Sequence, residues 1–192
     1  MRRVLCAVIL CATATAAWAA PEQASSDNKA DRASREFTER VQAYVTLQKA
    51  LEAKLSPPKT TADVAQITAN QQALAISIVA ARRDSRLGDI FTPDVARQLR
   101  EGIRKAFRGS EGRDIRRTIL ESDPVVPSVL RVNEVYPEEF PVTTMPPTLL
   151  SRLPILPAEL VYRIVGRSLV LMDMKTNLIV DVLRNAIPRP GR

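Results

Sequence analysis

The chain has 192 residues, a formal net charge of +7 and 45% hydrophobic residues, which is enough apolar material for a folded core and argues against wholesale disorder. It contains no histidine, and both cysteines, Cys6 and Cys11, lie within the first nineteen residues. If that segment is removed, zinc sites built on imidazole or thiolate, catalysis by Ser-His or Cys-His pairs, and disulfides are all excluded.

Residues 1–19 have the features of a secretory signal peptide. A charged start at Arg2-Arg3 precedes an apolar stretch, and Ala17-Trp18-Ala19 forms a small-x-small cleavage site. No later apolar run reaches the roughly 18 residues that are needed to span a bilayer. We therefore expect a periplasmic or secreted protein with a cleaved signal peptide and no transmembrane segment.

The region 31–122 is expected to be helical, after a small and polar leader at 20–30 that we expect to be disordered. Apolar residues at three- and four-residue spacings predict a first helix over 32–55, which Pro57-Pro58 ends. A second helix is predicted from a cap at Thr60 or Thr61 to about Arg83. Two long helices joined by a short break predict an antiparallel hairpin.

A third helix is predicted from the cap Thr92 and the first-turn Pro93 to Gly109. One side of it carries an apolar stripe, and the opposite side carries four basic residues: Arg97, Arg100, Arg104 and Arg108. These arginines form a candidate surface for anionic membrane or polymer. The alternative is a solvated outer face, with Glu101 pairing with Arg97 and Lys105. A short fourth helix is predicted over 111–122.

The region 123–159 contains eight prolines, which forbid continuous helix or strand pairing and predict an extended strap. Its many apolar residues predict that it lies across the helices. Met145-Pro146-Pro147 could serve as a ligand for an aromatic groove, although covering the core is the simpler interpretation. Ile67-Thr68 with Gln71, together with Phe91-Thr92-Pro93, weakly resembles the helix-entry motifs of helical periplasmic chaperones.

The region 160–187 is predicted to form an antiparallel meander of three strands, at 160–165, 169–174 and 178–183. A three-residue second turn would place Asp173 opposite Ile179 and Asp181 opposite Leu171. A three-residue first turn would then place Arg163 opposite Leu171 and on the same face as Asp173 and Asp181. A two-residue turn at Gly166-Arg167 is equally good locally, but it moves Arg163 to the apolar face, where an unpaired charge is costly. The trio has two interpretations: a polar site that shares a proton or holds a hard cation, or an ion pair that fixes the strand register.

Several segments resemble a family of exported bacterial proteins of unknown function. They are Gly88–Pro93, Val132–Pro137, Met145–Leu150, Leu153–Pro157, Tyr162–Leu169 and Asp173–Asp181. The resemblance implies export and a shared fold, and it brings no established activity. The terminal meander also resembles that of other small periplasmic families, one of them linked to nickel and cobalt homeostasis.

The sequence therefore predicts an α+β fold: a helical hairpin, a third amphipathic helix, a Pro-rich strap and a three-stranded meander packed on the helices. The leading functional hypothesis is an exported, non-enzymatic interaction or structural module with a protein or envelope component as its unknown partner. The alternatives are a peripheral binder of anionic envelope lipid or glycan, and a helical periplasmic chaperone. We expect no cofactor, no metal and no nucleic-acid partner.

Overall fold

The computed structural model describes residues 21–55, 64–121, 129–137, 139–140, 143 and 145–188. Within these ranges the chain combines helices with one three-stranded antiparallel sheet, so the α+β prediction is confirmed. The helices are α1 (Pro21–Glu52), α2 (Val64–Ala81), α3 (Pro93–Arg108), α4 (Gly112–Glu121) and the short α5 (Pro147–Leu150). The strands are β1 (Leu160–Val165), β2 (Ser168–Asp173) and β3 (Ile179–Leu183).

Helix α1 begins earlier than the sequence pattern predicted. It starts at Pro21, so the expectation of a disordered leader is wrong for residues 21–30. Its first core residue is Ala33, and no proline or glycine interrupts the chain between Pro21 and the end of the helix. A helix that is anchored by packing can extend backwards through such sequence, because each added residue gains a backbone hydrogen bond. The predicted start of the second helix, at 60–61, lies outside the described residues.

Helix α3 has the predicted bounds. Thr92 is its N-cap residue, Pro93 occupies the first helical position, and Gly109 is its C-cap. The Thr92 hydroxyl does not cap the helix but donates to Glu36 Oε2 at 3.1 Å. α4 follows almost at once because Gly112 packs directly on the end of α3.

The sheet is a simple meander in the order β1-β2-β3, but the predicted register of its first turn is wrong. Arg163 pairs with Val170, so the turn is the two-residue Gly166-Arg167, with Gly166 at φ 55°. Arg163 therefore lies on the face opposite Asp173 and Asp181. The expected free-energy cost of burying an unpaired charge does not arise, because Arg163 is only half-buried on that face.

The second turn agrees with the prediction only in part. Asp181 lies opposite Leu171, as expected, whereas Ile179 pairs with Met172 and not with Asp173. An irregularity in the pairing between Leu171 and Met172 causes this shift. Because Asp181 pairs directly with Leu171, the two side chains lie on the same face of the sheet.

The two faces of the sheet are covered by different parts of the chain. One face, with Tyr162, Ile164, Leu169 and Leu171, belongs to the main core with the helices. The other face forms a second cluster with Tyr136 and with the partly buried Leu130, Phe140 and Val161. The proline-rich region was predicted to lie across the helices, but part of it covers the outer face of the sheet. Isolated antiparallel β-bridges connect it to both edges of the sheet: Val135 pairs with Leu178, and Thr143 pairs with Ile164.

None of the helices in the described ranges combines the length and the apolarity needed to cross a bilayer.

Candidate functional site

Asp181 holds the loop that leads into α3. Its carboxylate is fully buried and accepts four backbone N–H groups. Oδ1 accepts from Gly88 at 2.9 Å and Val182 at 2.7 Å, and Oδ2 accepts from Ile90 at 2.8 Å and Phe91 at 2.7 Å. A carboxylate is the only common side chain that accepts hydrogen bonds at two oxygens at once. One Asp181 side chain can therefore hold the 88–91 loop against β3.

Asp173 makes a second buried cluster on the same face of the sheet. Its Oδ2 accepts from the Tyr44 hydroxyl at 2.7 Å and from Gln48 Nε2 at 2.6 Å. Its Oδ1 accepts from the backbone N–H groups of Lys175 and Thr176, both at 2.9 Å. Burial, and after it the neighbouring Asp173 charge and hydrogen bond, raises the pKa of Tyr44 well above its usual value. The phenol therefore remains a proton donor to Asp173.

Arg82 is the buried cation of this region. Nη1 donates to Asn133 Oδ1 at 2.9 Å and Nη2 to the Val180 carbonyl at 3.1 Å, while the guanidinium lies 5.0 Å from the centroid of the Tyr44 ring. Burial lowers the pKa of Arg82, and the nearby charges of Asp181, Asp89 and Asp173 oppose that fall. Arg82, and not Arg163, is therefore the cation whose charge interacts with Asp173 and Asp181, although its hydrogen bonds go to Asn133 and the Val180 carbonyl.

These contacts favour a structural role for the buried charges. Asp173 and Asp181 are 1% and 0% exposed, and each carboxylate oxygen already accepts two hydrogen bonds. A substrate would have to displace donors that hold the fold together. Among the described residues, no three carboxylate, imidazole or thiol side chains come close enough to hold a metal ion.

The predicted arginine surface is divided by its ion pairs. Arg97 pairs with Asp94 at 2.6 Å, and Lys105 pairs with Glu101 at 3.0 Å. The Lys105 ammonium, through its hydrogen bond and its charge, lowers the pKa of Glu101. By contrast, Arg100, Arg104 and Arg108 form no ion pair within the described part of the chain, although the Arg104 charge also lowers the pKa of Glu101.

A fourth arginine, Arg184, lies beside Arg100 and was missed by the sequence analysis. Arg100 Nη2 donates to the Arg184 carbonyl at 3.1 Å, and Arg104 Nε donates to the Arg100 carbonyl at 3.1 Å. The exposed side chain of Arg184 donates to the Leu130 carbonyl at 3.5 Å. We name Arg100, Arg104, Arg108 and Arg184 the arginine row. No signal in the sequence places Arg184 beside α3, because 84 residues separate it from Arg100.

The opposite side of α3 is fixed in the core. Val95, Ala96, Leu99, Ile103, Ala106 and Phe107 are all buried. The apolar stripe is therefore not available for insertion into a membrane while the protein is folded. The side of α3 that remains accessible to a partner is therefore the charged side.

Comparison with protein-family models, curated proteins and solved structures finds no match to this chain.

Two further candidate motifs are the Met145-Pro146-Pro147 segment and the chaperone-like motif. Met145 packs against the main core and Pro146 is buried, which favours the core-covering interpretation of that segment. The residues of the chaperone-like motif lie on different helices: Ile67 and Gln71 are exposed on α2, whereas Thr92 is buried at the start of α3.

An open cleft of about 430 Å³ lies between α1, α2 and the turn after β2. The pairs Lys49–Glu159, at 2.6 Å, and Lys175–Glu52 connect α1 to the sheet there. Its charged groups are thus already engaged with one another. The cleft has no charge left over to select a ligand.

Proposed function

We propose that this protein is an exported, non-enzymatic interaction module, and that the arginine row is its binding surface for an anionic envelope lipid or glycan. The observation that carries the proposal is the contrast along α3. Arg97 and Lys105 form ion pairs with acidic neighbours, whereas Arg100, Arg104 and Arg108 recur one turn apart and form no ion pair in the described residues. Exposed cations that are left unpaired retain their full attraction for anions.

The architecture behind the row supports this proposal. The apolar side of α3 is buried, and α1 contacts both α2 and α3. In this proposal α1 and α2 act as the antiparallel hairpin expected from the sequence and brace α3. Binding through such a rigid helix needs no refolding, so its free energy is electrostatic and screened by salt. Export is proposed from the signal-peptide features of residues 1–19 and from the resemblance to exported proteins.

The test is co-sedimentation with vesicles of anionic or neutral phospholipid, with an immobilised anionic polysaccharide as the second arm. Each basic residue near an anionic membrane contributes about 1 kcal/mol. Replacing Arg100, Arg104 and Arg108 by Gln should therefore weaken binding to anionic vesicles roughly 100-fold. The matched control replaces both members of one ion pair, Arg97 by Gln and Asp94 by Asn, which leaves the net charge unchanged, and it should lose far less.

Two results would contradict the proposal. One is binding that is equal on neutral and anionic surfaces or that is unchanged by high salt. The other is a control variant that loses as much affinity as the arginine-row variant. Retention by the polysaccharide alone would identify glycan as the ligand source, and retention by vesicles alone would identify lipid.

A further inference from the structure

The cleft between α1, α2 and the turn after β2 contains a buried hydrogen-bond acceptor that has no donor. Gln48 lines this cleft and is 2% exposed. Its Nε2 donates to Asp173 Oδ2 at 2.6 Å, and only the NH₂ group of a carboxamide can face a carboxylate in this way. Oε1 therefore points away from Asp173, and among the described residues no group donates to it. Buried side-chain oxygens normally accept at least one hydrogen bond.

The rest of the cleft combines polar and apolar groups without a free charge. Its lysines and glutamates form the two ion pairs described above. Ala158 and Met174 are exposed and add apolar surface, and Gln71 of α2 is exposed and adds a second carboxamide. The volume of about 430 Å³ falls within the range of about 300–1,000 Å³ that is typical of small-ligand sites.

We propose that this cleft binds an uncharged peptide, and that a backbone N–H of the peptide donates to Gln48 Oε1. A charged ligand would have to compete with the two ion pairs, so an uncharged ligand fits better. The Gln71 carboxamide can donate and accept together. The N–H and C=O of one extended residue lie on the same side of a peptide, so they match this carboxamide, while small apolar side chains contact Ala158 and Met174.

A ligand reaches the acceptor only if a lining side chain moves. Gln48 Oε1 is itself buried, whereas Met174 is 55% exposed and has the most adaptable of the apolar side chains. Binding should therefore change the surroundings of the Met174 methyl group. Met172 lies in the cluster on the outer face of the sheet and Met145 packs against the main core, so their methyl groups should be unaffected.

The experiment is an NMR titration of the purified protein, labelled at its methionine methyl groups, with N-acetyl-alanyl-alanine dimethylamide. This peptide has two N–H groups and no charge. For a ligand of this size the dissociation constant should be about 1 mM. The matched ester, in which oxygen replaces both N–H groups, should bind about tenfold more weakly, because it offers Gln48 no donor. High salt should leave the affinity for the peptide unchanged, since the peptide carries no charge.

Two pairs of variants locate the binding site without disturbing the contact between Gln48 and Asp173. Ala158→Phe fills the cleft and should abolish the methyl shift, whereas Ala80→Phe makes the same change at an exposed position outside the cleft and should bind like the wild type. Gln71→Leu removes the second carboxamide and should weaken binding several-fold, whereas Gln72→Leu, at the next exposed position of α2, should not.

Several results would overturn this proposal. One is the absence of a Met174 shift at saturating peptide, which would leave the Gln48 acceptor to a water molecule. Others are equal binding of the peptide and its ester, equal losses for the two alanine variants, or a response to a neutral disaccharide and not to the peptide. The variant that lacks the three α3 arginines of the arginine row should bind the peptide like the wild type. Failure here therefore leaves the arginine-row proposal intact.

Discussion

Asp181→Asn is expected to be among the most destabilising single-atom changes available in this protein. Asparagine has nearly the same shape as aspartate, so the substitution creates no cavity. It replaces one carboxylate oxygen by an NH₂ group, which donates and does not accept. Two backbone N–H groups then face a donor: those of Gly88 and Val182, or those of Ile90 and Phe91.

The expected loss of stability follows from the number of N–H groups that are left without an acceptor. A buried donor that is left without an acceptor costs about 1–3 kcal/mol, so two of them cost about 2–6 kcal/mol. Domains of this size are typically stable by only about 5–15 kcal/mol. Asp181→Asn should therefore remove a large fraction of the free energy of unfolding, with its first effect on the loop that starts α3.

Urea unfolding followed by far-UV circular dichroism measures this loss. The matched control is Asp84→Asn, the same chemical change at a carboxylate whose side chain is 91% exposed and pairs with the exposed Arg83. The control should change the free energy of unfolding by less than about 0.5 kcal/mol. If Asp181→Asn cost less than about 1 kcal/mol, the four hydrogen bonds would not have the role assigned to them here.

Other predictions address buried phenols and close glycine contacts, and each is read from thermal or urea midpoints. Tyr44→Phe removes a hydrogen bond to a buried carboxylate and should cost about 2 kcal/mol, whereas Tyr162→Phe removes a buried hydroxyl with no partner among the described residues and should be neutral or stabilising. Burial raises the pKa of both tyrosines, so stability should be fully present below about pH 10, the usual pKa of tyrosine, and should be lost as the pH rises beyond it; an unchanged midpoint at pH 11 would contradict this. A Cβ on Gly112 would lie 2.1 Å from the Phe107 carbonyl oxygen, so Gly112→Ala should destabilise by about 3 kcal/mol or more. Gly102→Ala meets only an ordinary 3.5 Å contact in a helix and should be neutral or stabilise by up to about 1 kcal/mol; equal losses for the two glycine variants would refute the steric reasoning.

The sequence was informative where local chemistry decides the structure. α3 begins and ends where Thr92, Pro93 and Gly109 predict, because capping and proline geometry act within a few residues. The strands also lie within one residue of their predicted bounds, since alternating and β-branched patterns are local too. These elements needed no knowledge of the rest of the fold.

The sequence was uninformative where contacts between distant segments decide. The register of the first turn depended on how Arg163 would be solvated, and that depends on a covering segment about thirty residues away. Asp173 and Asp181 were correctly placed on one face, but they looked like surface charges because their partners, Tyr44 and residues 88–91, are about 90 or more residues distant. Arg82 and Arg184 gave no local sign of their positions for the same reason.

The tie between Asp181 and the 88–91 loop sets an order of events when the polypeptide is made. Ribosomes deliver a chain from its amino end, so α1 to α4 emerge well before the carboxylate that completes the entrance to α3. Until Asp181 arrives, the backbone amides of Gly88, Ile90 and Phe91 lack their acceptor. The helices therefore should not reach their final packing during synthesis, and the finished fold should form in one late step.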